Sequence, residues 1–241
     1  MKDRDPRDQT LLDAHNFWNT SGAKHSRFSH LLGSEDWPQK MWDLIGKNHL
    51  TIFRLGIEKH GAGGELKRLL EWGPGGGSNV VAFAEVFEHI TGVDISLGNL
   101  GMAESALRSK PSSCRFSAFP IAIDNPFVAR ELTTDPFDFL ICTAVIQHMP
   151  FIDYFYDVFC LWRELLRPDA RALIQFRTNH RARSMHRDPD QKYDQNVARR
   201  LMFNVPKFVE MCGDAGWDLL ELIGDKKPTR SGYVYAWLRN P

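Results

Sequence analysis

The sequence predicts an α/β protein: a mostly parallel sheet of seven strands, covered by helices on both faces, with an antiparallel last strand. Three observations carry this expectation. Continuous apolar runs of the kind buried parallel strands show, such as Phe137-Asp-Phe-Leu-Ile-Cys-Thr143, alternate with segments of helical period, as in βαβ units. A glycine cluster, Gly73-Pro-Gly-Gly-Gly77, lies at the first passage from strand to helix. The last two strand candidates, about 217–223 and 232–238, are joined by a short loop without a helix, which favours an antiparallel hairpin.

Taken in order, residues 1 to about 10 read as a charged, mobile tail. A helical region follows, carrying Phe17, Trp18, Phe28, Trp37, Trp42 and Phe53. From Pro38 the residues Met41, Trp42, Ile45, Leu50, Phe53 and Leu55 keep three- and four-residue spacings, with Pro38 in a first helical turn and Ser34 or Asp36 near the cap. Gly61-Ala-Gly-Gly64 breaks that pattern. The strands that follow are Arg68–Trp72, Ile90–Asp94, Cys114–Ala118, Phe137–Thr143, Arg171–Phe176, about 217–223 and Gly232–Leu238. Helices are expected over Ser78–His89, Leu97–Lys110, Phe151–Leu166 and about 205–216, and a polar stretch fills 177–200.

Composition bounds the function. The chain has 241 residues, 30 Lys+Arg against 30 Asp+Glu, 43% hydrophobic and 25% charged residues. That balance is globular, not that of a disordered polyelectrolyte, and zero net charge argues against a nucleic-acid coat protein. Cys114, Cys142, Cys160 and Cys212 show no metal-ligand or C-x-x-C spacing and read as reduced thiols. The N-terminus lacks the apolar core of a signal peptide, and no apolar run reaches the ~18 residues of a membrane span. The expectation is a cytoplasmic monomer or homodimer without metal.

The segment Glu71-Trp-Gly73-Pro-Gly75-Gly-Gly77 sits where a nucleoside-binding turn belongs, and Asp94 ends the next strand 21 residues after Gly73. Glycines let a ligand approach the backbone, and an acid at that distance accepts both ribose hydroxyls. No Lys follows Gly77, which excludes the P-loop pattern. The spacing G-x-G-x-G differs from the dinucleotide G-x-G-x-x-G, and none of the five tyrosines has Lys four positions on, as a short-chain dehydrogenase would need.

Over about residues 65–240 the chain resembles the class I S-adenosylmethionine-dependent methyltransferases, particularly their small-molecule group. The resemblance rests on Glu71 with Gly73, Gly75 and Gly77, on Asp94, on Asp138 to Pro150 at the fourth strand, on Leu165-Leu-Arg-Pro168 before the fifth, and on Phe208 through Gly216-Trp217. Asp169 and Ala170 stand where the family usually has glycines, and the acid usual after the third strand is missing, Asp124 lying too late. The resemblance implies a Rossmann-like doubly wound fold binding S-adenosylmethionine and releasing S-adenosylhomocysteine. It implies Glu71, Gly73, Pro74, Gly75, Gly77, Asp94, Ile95, Thr143 and Ala144 as cofactor residues, with backbone near Ile121 and Ala122 holding the adenine. Residues 1–64 become a tail and helical lid, and 65–241 the cofactor-binding domain.

At the same sheet edge, His148 is the candidate base for a hydroxyl acceptor, or else a loop histidine supporting the pocket. Trp18, Arg177, His180 and Arg181 are the candidate substrate residues. The stretch 177–200 holds seven Lys/Arg against three Asp, which suits an anionic acceptor. The expected function is methylation of a small molecule, an anionic metabolite or natural-product intermediate, at a hydroxyl. The alternatives are a macromolecular acceptor such as RNA, or cofactor binding without transfer.

Overall fold

The computed structural model describes residues 5–25, 39–178, 193, 201–224 and 232–241. The chain runs α1 (Pro6–His25), α2 (Gln39–His60), β1 (Arg68–Trp72), α3 (Ser78–Phe83), β2 (His89–Asp94), α4 (Leu97–Arg108), β3 (Arg115–Pro120), β4 (Phe137–Cys142), α5 (Ile152–Leu165), β5 (Leu166–Thr178), α6 (Val205–Asp214), β6 (Asp218–Gly224) and β7 (Gly232–Arg239). Short 3-10 turns over Pro126–Thr134 and Ile146–His148 flank β4.

The seven strands form one sheet in the order β3-β2-β1-β4-β5-β7-β6. β3 through β5 are parallel neighbours, and β7 is antiparallel to both β5 and β6. The order reverses between β1 and β4, and in open α/β sheets ligands bind at the strand C-termini of such a switch point. Glu71 pairs with Gly92 and Ile141, so the glycine loop and the loop after β4 leave the sheet side by side.

Side-chain alternation divides the core between the two faces of the sheet. On one face Leu70, Leu140, Ala172 and Ile174 pack with α5 and α6 through Phe155, Phe159, Trp162 and Phe208. On the other, Leu69, Phe139, Ile141 and Leu173 pack with α2, α3 and α4. Phe53 of α2 lies 4.9 Å from the Phe139 ring and 5.2 Å from Phe83, so α2 is bound to the sheet through aromatics. Ser78 Oγ donates to the Trp42 carbonyl and accepts from Gly46 N–H, tying α2 to the start of α3.

Two expectations are corrected. The tail is helical from Pro6: Pro6 and Asp8 suit a first turn, and Arg7 pairs with Asp153 at 2.8 Å while resting 4.4 Å over the Phe151 ring. The helix expected over Ser78–His89 stops at Phe83, because Glu88 and His89 both donate their N–H to the Lys67 carbonyl and draw the chain into β2. The Pro38 first turn and its cap lie outside the described residues.

Candidate active site

The loops after β1, β2, β3 and β4, with Gln175 of β5, Tyr193, the edge of β7, and helices α1 and α2, enclose one cavity of about 370 Å³. Of the sequence-predicted residues, Trp18, Glu71, Gly73, Pro74, Gly75, Asp94, Ile95, Ile121, Thr143, Ala144 and His148 line it. Three do not. Gly77 serves packing: it has φ +85°, and a Cβ there would sit 2.6 Å from the Ala103 backbone of α4. Ala122 is exposed and its carbonyl accepts from Asn125 N–H, while its neighbours Ile121 and Ile123 face the cavity. Arg177 rests its guanidinium 5.1 Å over the Tyr233 ring. His180 and Arg181 lie outside the described residues.

The glycine loop is shaped by close approach. Gly73 adopts φ +75°, and a Cβ on it would meet the Val145 side chain at 2.3 Å, so only glycine allows the β1 and β4 loops to converge. Across from it Ala144 also adopts a left-handed backbone, φ 59°, unusual for a residue with a Cβ. The Gln175 side chain secures that turn by accepting from Ala144 N–H at 2.9 Å. Such strain is retained where the surroundings over-determine it.

Two acids set the electrostatics. Glu71 is 2% exposed. Burial raises its carboxyl to about 8, against the opposing hydrogen bond from Asn79. Its Oε1 accepts from Asn79 Nδ2 at 2.9 Å, while its buried Oε2 has no hydrogen-bond partner among the described residues. Asp94 is raised by burial to about 6, opposed by hydrogen bonds from the Ser96 backbone, Asn99 and the Gly75 backbone. Its Oδ1 accepts from Ser96 N–H at 2.8 Å, and Oδ2 from Asn99 Nδ2 at 3.3 Å. The described lining contains no Lys or Arg. Two buried acids on a lining without Lys or Arg among the described residues call for a cationic ligand. The ammonium and sulfonium of S-adenosylmethionine fit that requirement, and a phosphate-bearing cofactor does not.

A buried polar network running from Glu71 toward α2 and β7 escaped sequence reasoning. Asn79 Nδ2 also donates to Thr143 Oγ1 at 3.0 Å, and Asn79 Oδ1 lies 2.8 Å from His49 Nδ1. His49 Nε2 lies 3.1 Å from Tyr235 Oη, which accepts from Gln175 Nε2 at 2.8 Å. Burial holds the His49 imidazole below its ordinary value, despite the Asn79 contact. Two sequence signals pointed to this network. His49 is the polar member of the apolar stripe of α2, and Gln175 interrupts the apolar run of β5.

His148 occupies the α1 side. Its ring meets Trp18 edge-on at 4.9 Å, and its carbonyl accepts from Tyr193 Oη at 2.7 Å. Trp18 Nε1 donates to the same Tyr193 oxygen at 2.8 Å. No group of three or more His, Cys, Asp or Glu able to hold a metal occurs among the described residues.

A family model described as "Methyltransferase domain" matches residues 45–222, so the chain belongs to that family. Solved structures share the fold at low identity. The N-methyltransferase NodS from Bradyrhizobium japonicum, in complex with S-adenosylhomocysteine, is 14% identical with a TM-score of 0.61, covering 95% of this chain and 99% of its own. Magnesium protoporphyrin IX methyltransferase from Synechocystis, also with S-adenosylhomocysteine, is 14% identical with a TM-score of 0.63 and the same coverages. The [4+2]-cyclase SpnF is 13% identical with a TM-score of 0.63, covering 99% of this chain and 97% of its own. No curated protein matches the sequence. The chain is an S-adenosylmethionine-dependent methyltransferase by its family. The cyclase shows that the architecture itself carries more than one chemistry.

Proposed function

We propose that this methyltransferase transfers the methyl group of S-adenosylmethionine to a hydroxyl of a small-molecule acceptor. The observation that carries the cofactor part of the reading is the buried Glu71, with Oε2 unpartnered among the described residues, on the lining of a cavity whose only other described acid is Asp94. Glu71, oriented by Asn79, would attract the cofactor's ammonium, and Asp94 would accept from its ribose hydroxyls. Gly73, Pro74 and Gly75 would admit the cofactor against the backbone, with Ile95, Ile121 and Ile123 packing its adenosine and Thr143 and Ala144 its methionine portion.

When bound, the cofactor supplies an activated methyl group that is displaced in line by the acceptor. The protein's contribution is then mainly orientation and exclusion of water. Trp18 and Tyr193 wall the acceptor side, and the edge-on contact of the His148 ring with Trp18 supports a wall role for it over a base role. A small acceptor is supported by the size and aromatic walls of the cavity, and the Synechocystis neighbour is named for a porphyrin substrate. An anionic acceptor has its support in the composition of 177–200, since the described lining offers it no cation. The absence of Lys and Arg from that lining also weighs against RNA as acceptor. Four free cysteines support a reducing compartment such as the cytoplasm, and no helix among the described residues is long and apolar enough to cross a membrane.

The test is methyl release from isotopically labelled S-adenosylmethionine across panels of hydroxyl, amine and carbon acceptors. Turnover confined to hydroxyls is expected. Turnover confined to amines or carbon would overturn the hydroxyl assignment, and cofactor binding without turnover on any panel would replace transfer with binding alone.

A further inference from the structure

The polar network on the α2 side of the cavity has a direction that can be followed hydrogen by hydrogen. Asn79 spends its amide hydrogens on Glu71 Oε1 and Thr143 Oγ1. It therefore offers His49 only its oxygen, and His49 Nδ1 must carry the proton. A neutral imidazole then presents a lone pair at Nε2, which is filled by the Tyr235 hydroxyl. Gln175 faces the chain the same way. Its oxygen is spent on Ala144 N–H, so its amide donates to Tyr235 Oη. Tyr235 thus donates to His49, accepts from Gln175, and keeps one lone pair unused among the described residues, with its side chain on the cavity wall. The geometry makes Tyr235 an acceptor of one further hydrogen bond from inside the cavity.

We propose that Tyr235 is the catalytic residue that receives the proton of an aromatic hydroxyl acceptor, with His49 as the positioning residue that takes the tyrosine's own proton. This deepens the methyltransferase reading and rests on it. In the balanced step, a lone pair of the acceptor oxygen forms the new carbon–oxygen bond as the sulfur–methyl bond breaks, its electron pair staying on sulfur. The acceptor O–H proton passes to Tyr235 Oη, and the Tyr235 proton passes to His49 Nε2. One positive charge leaves sulfur and one arrives on the imidazole, so the charge seen by Glu71 is conserved. Burial disfavours a free phenolate at Tyr235 and a lasting charge on His49 alike, so the two proton shifts must accompany the departure of positive charge from sulfur. An aromatic hydroxyl suits the site on two grounds. It is of the same phenolic class as the hydroxyl of Tyr235, so the proton passes between like groups. Trp18, Tyr154, Tyr193 and Tyr233 give the cavity planar aromatic walls.

The test uses the full chain loaded with S-adenosylhomocysteine and two probes, phenol and its methyl ether anisole, which lacks the hydroxyl hydrogen. Calorimetry should show phenol bound at least about tenfold more tightly than anisole, the worth of one buried hydrogen bond. Tyr235→Phe should bind S-adenosylhomocysteine within about twofold of wild type and lose the preference for phenol. Nitrogen-15 histidine NMR on the wild-type complex supplies a readout independent of any variant's folding. His49 should carry its proton on Nδ1, with its Nε2 resonance shifting on addition of phenol. Equal or undetectable binding of the two probes, a preference that survives in Tyr235→Phe, or a proton found on Nε2 of His49 would each overturn the proposal. Failure of wild type to bind S-adenosylhomocysteine would instead overturn the cofactor reading, and this proposal with it.

Discussion

Glu71 carries its charge at a cost that the cofactor would offset. Its folded value near 8 lies above its ordinary 4.5, so stability that is full below about 4.5 is lost as pH rises through about 8. Glu71→Gln keeps an acceptor oxygen for Asn79 and removes the ionisation. It should unfold at a higher temperature than wild type at pH 9, and at about the same temperature at pH 4.5, in thermal scans without ligand. The same acids make cofactor binding release protons. A cationic ligand favours ionised Glu71 and Asp94, so affinity should rise with pH across the interval between the Asp94 value near 6 and the Glu71 value near 8, then level off. Titrations in buffers of different ionisation enthalpy should show the released protons directly. A flat affinity between pH 6 and 9 would contradict the assignment. These two acids were legible because each stands near the C-terminal end of a strand, at a fixed spacing from the glycine loop. His49 and Tyr235 were not, because they are 186 residues apart in sequence and only folding makes them neighbours.

At the scale of elements, the glycine loop is a packing device as well as the proposed binding loop. Gly77→Ala should lower stability by about 2 kcal/mol or more, since the new Cβ meets both a left-handed backbone and the Ala103 backbone. Thermal denaturation checks it, and an unchanged midpoint would count against that packing. The seven strands were readable from their apolar and β-rich runs, with glycines marking the ends of β1, β6 and β7. Two helices were misread for physical reasons. The first turn of α1 is charged, and Arg7 is recruited by Phe151 and Asp153, which no local pattern announces. α3 ends early because the Lys67 carbonyl captures the chain that follows. Asp169 shows the reverse case. It stands where the family usually has glycine and still adopts φ 62°, with its N–H bonded to the Asn240 carbonyl at 2.8 Å. Aspartate is among the residues that tolerate that conformation.

At the scale of the whole molecule, the zero net charge conceals an arrangement. The reversal of strand order between β1 and β4 gathers Glu71 and Asp94 into one cavity without lysine or arginine on its described lining. Helix α1 closes that cavity with little core of its own, joining it through Ala14, Trp18, Ile123 and Tyr193. Removing residues 1–25 should therefore leave cooperative unfolding intact while weakening the binding of phenol to the S-adenosylhomocysteine complex. Loss of cooperative unfolding would show instead that α1 is part of the main core. The central claim is that this cavity holds S-adenosylmethionine through its two acids. Titration calorimetry of the full chain with S-adenosylhomocysteine, wild type beside Asp94→Ala, tests it most directly. The account predicts one site per chain in wild type, and an affinity at least about tenfold weaker once the ribose hydrogen bonds are lost. No binding by wild type, or equal binding by the variant, would contradict it.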